Sequence, residues 1–282
     1  MLGRAETMSQ VLLKGTHITK RFGQGEKENT VLDDVSVDIY EGDFTIIMGS
    51  SGAGKSTLLY ALSGMDKVSG GTVAYTPPGT PQYTPCRQVD AVRPTRYKEQ
   101  EISGLKEKQM ARLRANEFGF VFQQTHLVSN LSLFENIAVA GYMGEGQTEK
   151  QVRKKAEALL RQMHIEKAKD RYPSEVSGGE AQRAAIARAV VNEPGIVFAD
   201  EPTGALNKSN TEDVLDLLTM LNQKGQSILM VTHDIHAAAR GNRILYLEDG
   251  KVLAQKNLLP YEKSNERDRE TEIHLWLDSL KW

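Results

Sequence analysis

The residues with the clearest chemical potential lie in a glycine-rich stretch between positions 49 and 56. This stretch, GSSGAGKS, fits the phosphate-binding pattern G-x-x-x-x-G-K-[ST], and it follows an apolar run, Phe44 to Met48, that predicts a buried strand. Glycines let the backbone turn its N–H groups toward an anion, and a helix beginning at Lys55 adds further unpaired N–H groups. Lys55 is expected to reach the β- and γ-phosphates of a nucleotide, and Ser56 to ligate Mg²⁺. We predict nucleotide contacts at Gly49, Ser50, Ser51, Gly52, Ala53, Gly54, Lys55, Ser56 and Thr57.

A second apolar stretch ends in two carboxylates. Residues 196–199 predict a strand, and Asp200 and Glu201 follow it directly. Asp200, at the strand end, is suited to hold Mg²⁺ through water, and Glu201 to polarise the attacking water as a general base. An apolar strand ending in Asp-Glu is weak evidence alone, but beside a phosphate-binding loop it predicts hydrolysis of a nucleoside triphosphate.

A third motif, VSGGEAQR at residues 176–183, places Ser-Gly-Gly before an alanine-rich helix. Such a helix start is rich in unpaired N–H groups and suits an anion. The segment resembles the signature of ATP-binding-cassette (ABC) ATPases, whose usual core is LSGGQ. The motif order is also similar to that family's: phosphate loop, glutamine after an apolar strand, signature, Asp-Glu strand, D-loop, histidine. The resemblance covers about residues 11–255.

The resemblance implies roles for residues outside the phosphate loop. Phe22 matches the aromatic residue that stacks on adenine, and Gln123 matches the glutamine that touches Mg²⁺ and the water and senses the transporter partner. His233, in VTHD, matches the switch histidine. The implied nucleotide contacts of the signature are Ser177, Gly178 and Gly179.

Two positions depart from the family pattern. Glu180 stands where the signature usually has glutamine, which adds a negative charge near the incoming phosphate. Asn207 stands where the D-loop, residues 205–207, usually has aspartate, which removes a charge that helps couple two sites. We expect Glu180 to be tolerated and activity to be retained, with the coupling between sites in question.

The two anion sites are hard to reconcile within one chain. The phosphate loop already occupies the near side of the ATP, so the helix start at Ser177 has no obvious phosphate of its own to bind. A head-to-tail pair of copies related by a two-fold axis resolves this, because loop 49–56 of one copy and Ser177–Gly179 of the other then enclose each ATP. We therefore expect a homodimer around two ATP molecules and Mg²⁺.

The segments GFVFQ, ADEPTGAL and VTHD resemble the bacterial ABC ATPases that pair with FtsX-like permeases, including the lipoprotein-release, macrolide-efflux and bacitracin-resistance groups. That resemblance implies an ATPase at the cytoplasmic face of the plasma membrane, held there by its permease. Two alternatives stay open: a regulatory ATPase that signals through a permease without transport, and a soluble ABC ATPase of translation or DNA repair. The soluble class usually carries fused cassettes, zinc motifs or a long coiled-coil insertion, which this sequence does not show.

Composition agrees with these interpretations. The chain has 282 residues, a net charge of −2 and 39% apolar residues, which allows a substantial core and gives no basic excess for a nucleic-acid partner. Its one cysteine, Cys86, excludes a disulfide within the chain and favours a reducing compartment. The sequence shows no signal peptide and no apolar run near the roughly 20 residues that span a bilayer.

The elements that must position these motifs predict an α/β fold of the P-loop NTPase type. We expect an ABC nucleotide-binding domain over 1–255, with a mixed central sheet, an antiparallel β subdomain and an inserted helical subdomain at about 124–177. Strands are predicted at 11–13, 17–22, 35–40, 72–75, 118–123, 227–232 and in a hairpin over 243–255, and helices at 102–115, 178–192 and 211–223. Ser132 or Asn130 and Thr148 are predicted helix caps. Five of nine prolines lie within 76–100, which predicts an irregular insertion, and residues 256–282 predict an amphipathic helical extension that docks on its own domain or contacts a partner.

Overall fold

The computed structural model describes residues 10–23, 25–79, 99–280 and 282, and these residues form two sheets with helices packed around them. The strands are β1 Val11–Phe22, β2 Asn29–Tyr40, β3 Phe44–Met48, β4 Gly70–Tyr75, β5 Gln100–Glu101, β6 Phe118–Phe122, β7 Ile196–Asp200, β8 Ser227–Val231, β9 Arg243–Glu248 and β10 Lys251–Asn257. The helices are α1 Lys55–Leu62, α2 Glu107–Glu117, α3 Leu133–Met143, α4 Glu149–Gln162, α5 Gly178–Val190, α6 Lys208–Gln223, α7 Ile235–Ala238 and α8 Glu266–Ser279.

The central sheet has six strands in the order β10-β9-β3-β8-β7-β6. Five of them run parallel and β10 pairs antiparallel with β9, so the sheet is mixed, as predicted. Strands β3 and β8 are buried along their whole length because the sheet is covered on both faces, which explains their continuous apolar sequences. Since parallel strands end at one edge, the segments that follow β3, β6, β7 and β8 are brought together there.

The second sheet is antiparallel, in the order β2-β1-β4-β5, and confirms the predicted β subdomain. The sequence predicts two strands at 11–13 and 17–22, but the structure has one continuous strand. Bulges between Gly15 and Ile18 absorb the irregular pattern, and His17 adopts a φ of 51° there. Because β1 pairs with β2 on one side and β4 on the other, it stays in the sheet through the bulge.

The predicted helix caps are confirmed at two positions. The hydroxyls of Ser132 and Thr148 accept hydrogen bonds from the N–H groups at the starts of α3 and α4. The helix predicted at 102–115 instead begins at Glu107, because Gln100 and Glu101 pair with β4 and Gln109 accepts a hydrogen bond from the Lys106 N–H. Helix α6 begins three residues before the predicted 211 because Asn207 caps it.

The extension after residue 255 packs on the domain. Ile273 and Leu277 of α8 are fully buried in the core cluster that covers the central sheet, and Trp276 lies edge-on to Tyr246 of β9. Of the two alternatives for this helix, the structure shows docking on its own domain. The irregular insertion predicted at 76–100 lies mostly outside the described residues. The domain limits drawn from the sequence stay predictions, although α3 and α4 occupy the range proposed for a helical subdomain.

Candidate active site

The phosphate loop joins β3 to α1 and is shaped by its glycines. Gly49 and Gly54 both have positive φ angles, 152° and 101°. A Cβ at Gly49 would lie 1.9 Å from the carbonyl oxygen of Leu247, and one at Gly54 would lie 2.9 Å from that of Val31. Side chains are therefore excluded at both positions by neighbouring strands as well as by backbone conformation.

The Lys55 side chain folds back onto the phosphate loop and is hydrogen-bonded to its backbone. Its ammonium group donates to the carbonyl oxygens of Gly49 at 2.9 Å and Ser50 at 2.6 Å, and the residue is only 8% exposed. Burial lowers the pKa of Lys55, and the nearby carboxylates, Glu201 foremost, oppose that shift. The loop thus presents a positive charge and a helix start at one point, as an anionic phosphate requires.

The two predicted Mg²⁺ ligands meet at the edge of the central sheet. The Ser56 hydroxyl donates to Oδ1 of Asp200 at 2.8 Å, across 144 residues of sequence. Asp200 ends β7, in register with Phe122 of β6 and Val231 of β8. A hydroxyl and a carboxylate form an all-oxygen donor set that suits a hard cation such as Mg²⁺, so the residues present fit this ion.

Glu201 and His233 lie beside that pair. Glu201 adopts a φ of 45°, and its N–H donates to the carbonyl oxygen of Val231 at 3.0 Å, which holds this uncommon conformation in place. The Nδ1 of His233 lies 3.2 Å from Oε1 of Glu201. An open cavity of about 510 Å³ adjoins both side chains and is also lined by Gly204, Leu206 and Trp282.

Gln123 follows β6, as predicted, and its amide lies against Gly204, where an added Cβ would be 2.9 Å from Nε2. Side chains of helix α5 hydrogen-bond to backbone carbonyl groups before and after this glutamine. Gln182 donates to the carbonyl oxygen of Phe122 at 3.0 Å, and Arg188 donates to those of Thr125 and His126, each at 2.7 Å. The signature helix and the glutamine segment are therefore mechanically linked.

The signature residues lie at the start of α5, and among the described residues no hydrogen bond joins Ser177, Gly178 or Gly179 to the phosphate loop. The Ser177 hydroxyl accepts from the Glu180 N–H at 3.2 Å and donates to Glu180 Oε2 at 2.8 Å. The hydrogen bonds from Ser177 lower the pKa of the Glu180 carboxyl. Glu180 thus completes a capping box, in which either glutamate or glutamine can serve, so the helix start accommodates the glutamate.

Phe22, the predicted adenine contact, ends β1 and is 45% exposed, with the Lys20 ammonium 4.7 Å from its ring centroid. It pairs with Asn29, two residues along β2 from Val31, whose carbonyl group borders Gly54. Two residues of strand span about 7 Å. Phe22 therefore lies beside the segment of β2 that borders the phosphate loop.

Two site residues were not predicted from the sequence. Tyr60 donates from its hydroxyl to Oδ2 of Asp200 at 2.6 Å. Glu248, at the end of β9, accepts a hydrogen bond from the Ser50 hydroxyl at 2.9 Å. Tyr60 stands four residues after Ser56, hence on the same helix face, and that spacing is the signal that could have identified it.

Comparisons with known proteins agree with this geometry. Residues 32–204, more than half of the chain, match the family model described as ABC transporter. The macrolide export ATP-binding/permease protein MacB of Pasteurella multocida is 34% identical over 251 residues, which are 89% of this chain and 35% of that protein. MacB of Pectobacterium atrosepticum is 38% identical over 256 residues, 90% of this chain and 36% of that protein. The chain thus spans about a third of the length of these curated relatives.

Solved structures give the same result. A dimeric, post-hydrolysis structure of the ATP-binding cassette MJ0796, bound to ADP and Pi, superimposes with a TM-score of 0.73 at 34% identity. The match covers 89% of this chain and all of that one. A second structure, described as the dimeric structure of MJ0796, a bacterial ABC transporter cassette, matches equally well.

Proposed function

We propose, from the premise that this chain belongs to the ABC transporter family, that it is the ATP-hydrolysing subunit of a bacterial transporter and works as a homodimer beneath an FtsX-like permease. The observation that carries the proposal is the meeting of Lys55, Ser56, Asp200, Glu201 and His233 at one sheet edge. ABC ATPase identity, the α/β fold and the enzyme class agree with the sequence-based predictions.

Binding of ATP is assigned to the phosphate loop. The loop N–H groups and Lys55 neutralise the phosphates, and Phe22 offers its exposed ring to the adenine. Ser56 would hold Mg²⁺ directly and Asp200 through water, and Gln123 would supply a further oxygen ligand. When bound, the ion supplies charge neutralisation at the β- and γ-phosphates.

Hydrolysis is assigned to Glu201 with His233. The Glu201 carboxylate stands beyond Asp200, where it orients a water and accepts its proton. With Glu201 ionised, the Nδ1 of His233 at 3.2 Å carries a proton and donates to it, which orients the Glu201 carboxylate.

A second copy of the chain completes the site. Ser177 and Gly179 begin a 13-residue helix whose N–H groups can meet the γ-phosphate held by the partner's loop. The Ser177 hydroxyl, which now donates to Glu180, must turn from that carboxylate to the phosphate. Closing the pair excludes water and concentrates donors around the phosphoryl group in the transition state. The MJ0796 cassettes that share this fold are described as dimeric.

The permease is assigned to an apolar groove of about 390 Å³ beside the end of β6. Met65 and Met143 on its rim are 46% and 68% exposed, and Phe120 and Phe122 line it. A short apolar helix of the permease seated here would press on the strand that ends just before Gln123, which connects docking to the active site. The related MacB proteins are named as combined ATP-binding and permease proteins. None of the helices in the described part of the chain combines the length and the apolar character of a membrane span.

The location that we propose for the chain is the cytoplasmic face of the plasma membrane, where it attaches through the permease. Export of peptides or antibiotics, antibiotic resistance and lipoprotein handling are the roles that the related subgroups favour. The name of the MacB relatives, macrolide export, supports the first of these.

The test of the hydrolytic assignment is Glu201→Gln. This variant keeps Lys55, Ser56 and Asp200, so we expect ATP affinity within about threefold of wild type and a loss of turnover of about 100-fold or more, as for removal of a general base. Steady-state phosphate release and binding of a fluorescent ATP analogue measure the two quantities. Undiminished phosphate release would remove Glu201 from the mechanism.

A further inference from the structure

Tyr60 occupies a position that the proposed mechanism does not use. It lies on α1, one helical turn after Ser56, and its ring packs at the margin of the core cluster beneath the antiparallel sheet. Its hydroxyl donates to Oδ2 of Asp200 at 2.6 Å, while the Ser56 hydroxyl donates to Oδ1 at 2.8 Å. Two side chains of helix α1 therefore donate hydrogen bonds to the two oxygens of one carboxylate.

These two hydrogen bonds determine the orientation of the Asp200 carboxylate. With one donor, a carboxylate can still rotate about its Cβ–Cγ bond, whereas donors on both oxygens fix the plane of the group. Each oxygen keeps a further lone pair after accepting one hydrogen bond, so the carboxylate can still accept from metal-bound waters. The Ser56 oxygen likewise keeps lone pairs for a cation while its hydroxyl donates a hydrogen bond to Asp200.

The direction of the Tyr60–Asp200 hydrogen bond follows from its partners. An ionised carboxylate offers only acceptor oxygens, so the Tyr60 hydroxyl is the donor and its proton lies toward Oδ2 of Asp200.

We propose that Tyr60 is a positioning residue for the Mg²⁺ site, which holds the Asp200 carboxylate in the orientation that its metal-bound waters need. The proposal rests on the proposed function, since it takes Asp200 as the outer ligand of the ion. Groups that orient metal ligands typically change metal affinity by 10- to 100-fold when removed. Removal of the Tyr60 hydroxyl is therefore expected to weaken Mg²⁺ binding and to leave metal-free nucleotide binding unchanged.

The experiment compares Tyr60→Phe with wild type, each also carrying Glu201→Gln so that ATP persists. Binding of a fluorescent ATP analogue is measured in EDTA and across a Mg²⁺ titration. We expect affinities in EDTA within twofold of each other, and a half-saturating Mg²⁺ concentration about tenfold higher for Tyr60→Phe. In the background with Glu201 intact, ATP hydrolysis should show the same shift in Mg²⁺ requirement, with turnover at saturating Mg²⁺ within about threefold of wild type.

Two further variants make the result decisive. Tyr261→Phe removes the same hydroxyl from a different carboxylate, Glu266, at 2.8 Å, and should leave the Mg²⁺ titration unchanged. Asp200→Asn should abolish the Mg²⁺-dependent gain in affinity. If Asp200→Asn has that effect and Tyr60→Phe titrates as wild type or needs less Mg²⁺, the inference about Tyr60 is wrong while the proposed site stands. If neither wild type nor Asp200→Asn responds to Mg²⁺, the proposed metal site itself is wrong.

Discussion

Leu277→Ala tests whether α8 belongs to the core of the domain. Leu277 is fully buried in the same apolar cluster as the central-sheet residues, and so is Ile273 one turn earlier. Truncation of a fully buried leucine removes its transfer free energy and leaves a cavity, which together cost about 2–5 kcal/mol. Because domains are stable by only about 5–15 kcal/mol, such a loss is a large share of the total.

Leu275→Ala provides the matched control on the same helix. Leu275 is 64% exposed, so the same substitution removes little buried surface and should change the free energy of unfolding by no more than about 0.5 kcal/mol. The small gain in helix propensity from leucine to alanine applies to both variants and cancels in their difference.

Urea unfolding followed by far-ultraviolet circular dichroism, without nucleotide, measures both variants. We expect the midpoint of Leu277→Ala to fall well below that of Leu275→Ala, with similar dependence on urea concentration. Equal midpoints would show that the packing of α8 does not contribute to the stability of the domain, and would refute the assignment of this helix to the core.

The remaining predictions concern the charged groups. His236 lies between two carboxylates, with Glu270 2.6 Å from Nδ1 and Glu212 2.5 Å from Nε2, and Arg240 pairs with Glu212. Burial lowers the pKa of His236, but the two carboxylates outweigh burial, so the net pKa is raised. A group with a raised folded-state pKa stabilises the fold fully at pH values below its ordinary pKa of about 6.5, and this stabilisation is lost as pH rises through the folded-state pKa. The free energy of unfolding lost in His236→Gln should therefore be largest near pH 5.5 and shrink toward pH 9. A difference that stays constant with pH would contradict this. Lys55→Met removes charge-assisted hydrogen bonds worth about 1.5–3 kcal/mol, so ATP affinity should fall by about 10- to 100-fold, and an unchanged affinity in analogue titrations would exclude the assigned contact.

The sequence predicted the parts of the site that lie within continuous motifs. The phosphate loop and the Asp200-Glu201 strand end each depend on local spacing, and local spacing determines local structure. The caps at Ser132 and Thr148 were predicted for the same reason.

Contacts set by the order of the strands could not be read in this way. Ser50 meets Glu248 across 198 residues, and Tyr60 meets Asp200 across 140, because β3 lies between β9 and β8 while β7 follows β8. The bulge in β1 depends on pairing with both β2 and β4, and the late start of α2 depends on the pairing of β5 with β4; periodicity alone does not identify these partners.

We propose that two copies of this chain enclose ATP, each contributing its phosphate loop and its signature helix. Light scattering on Glu201→Gln tests this most directly, with Glu201→Gln carrying Ser177→Arg as the control that blocks the signature surface. We predict that saturating Mg-ATP doubles the mass of Glu201→Gln from the 31.3 kDa of one chain, and that the control stays monomeric. A monomer at saturating Mg-ATP, or a dimer that forms equally without nucleotide, would contradict the account.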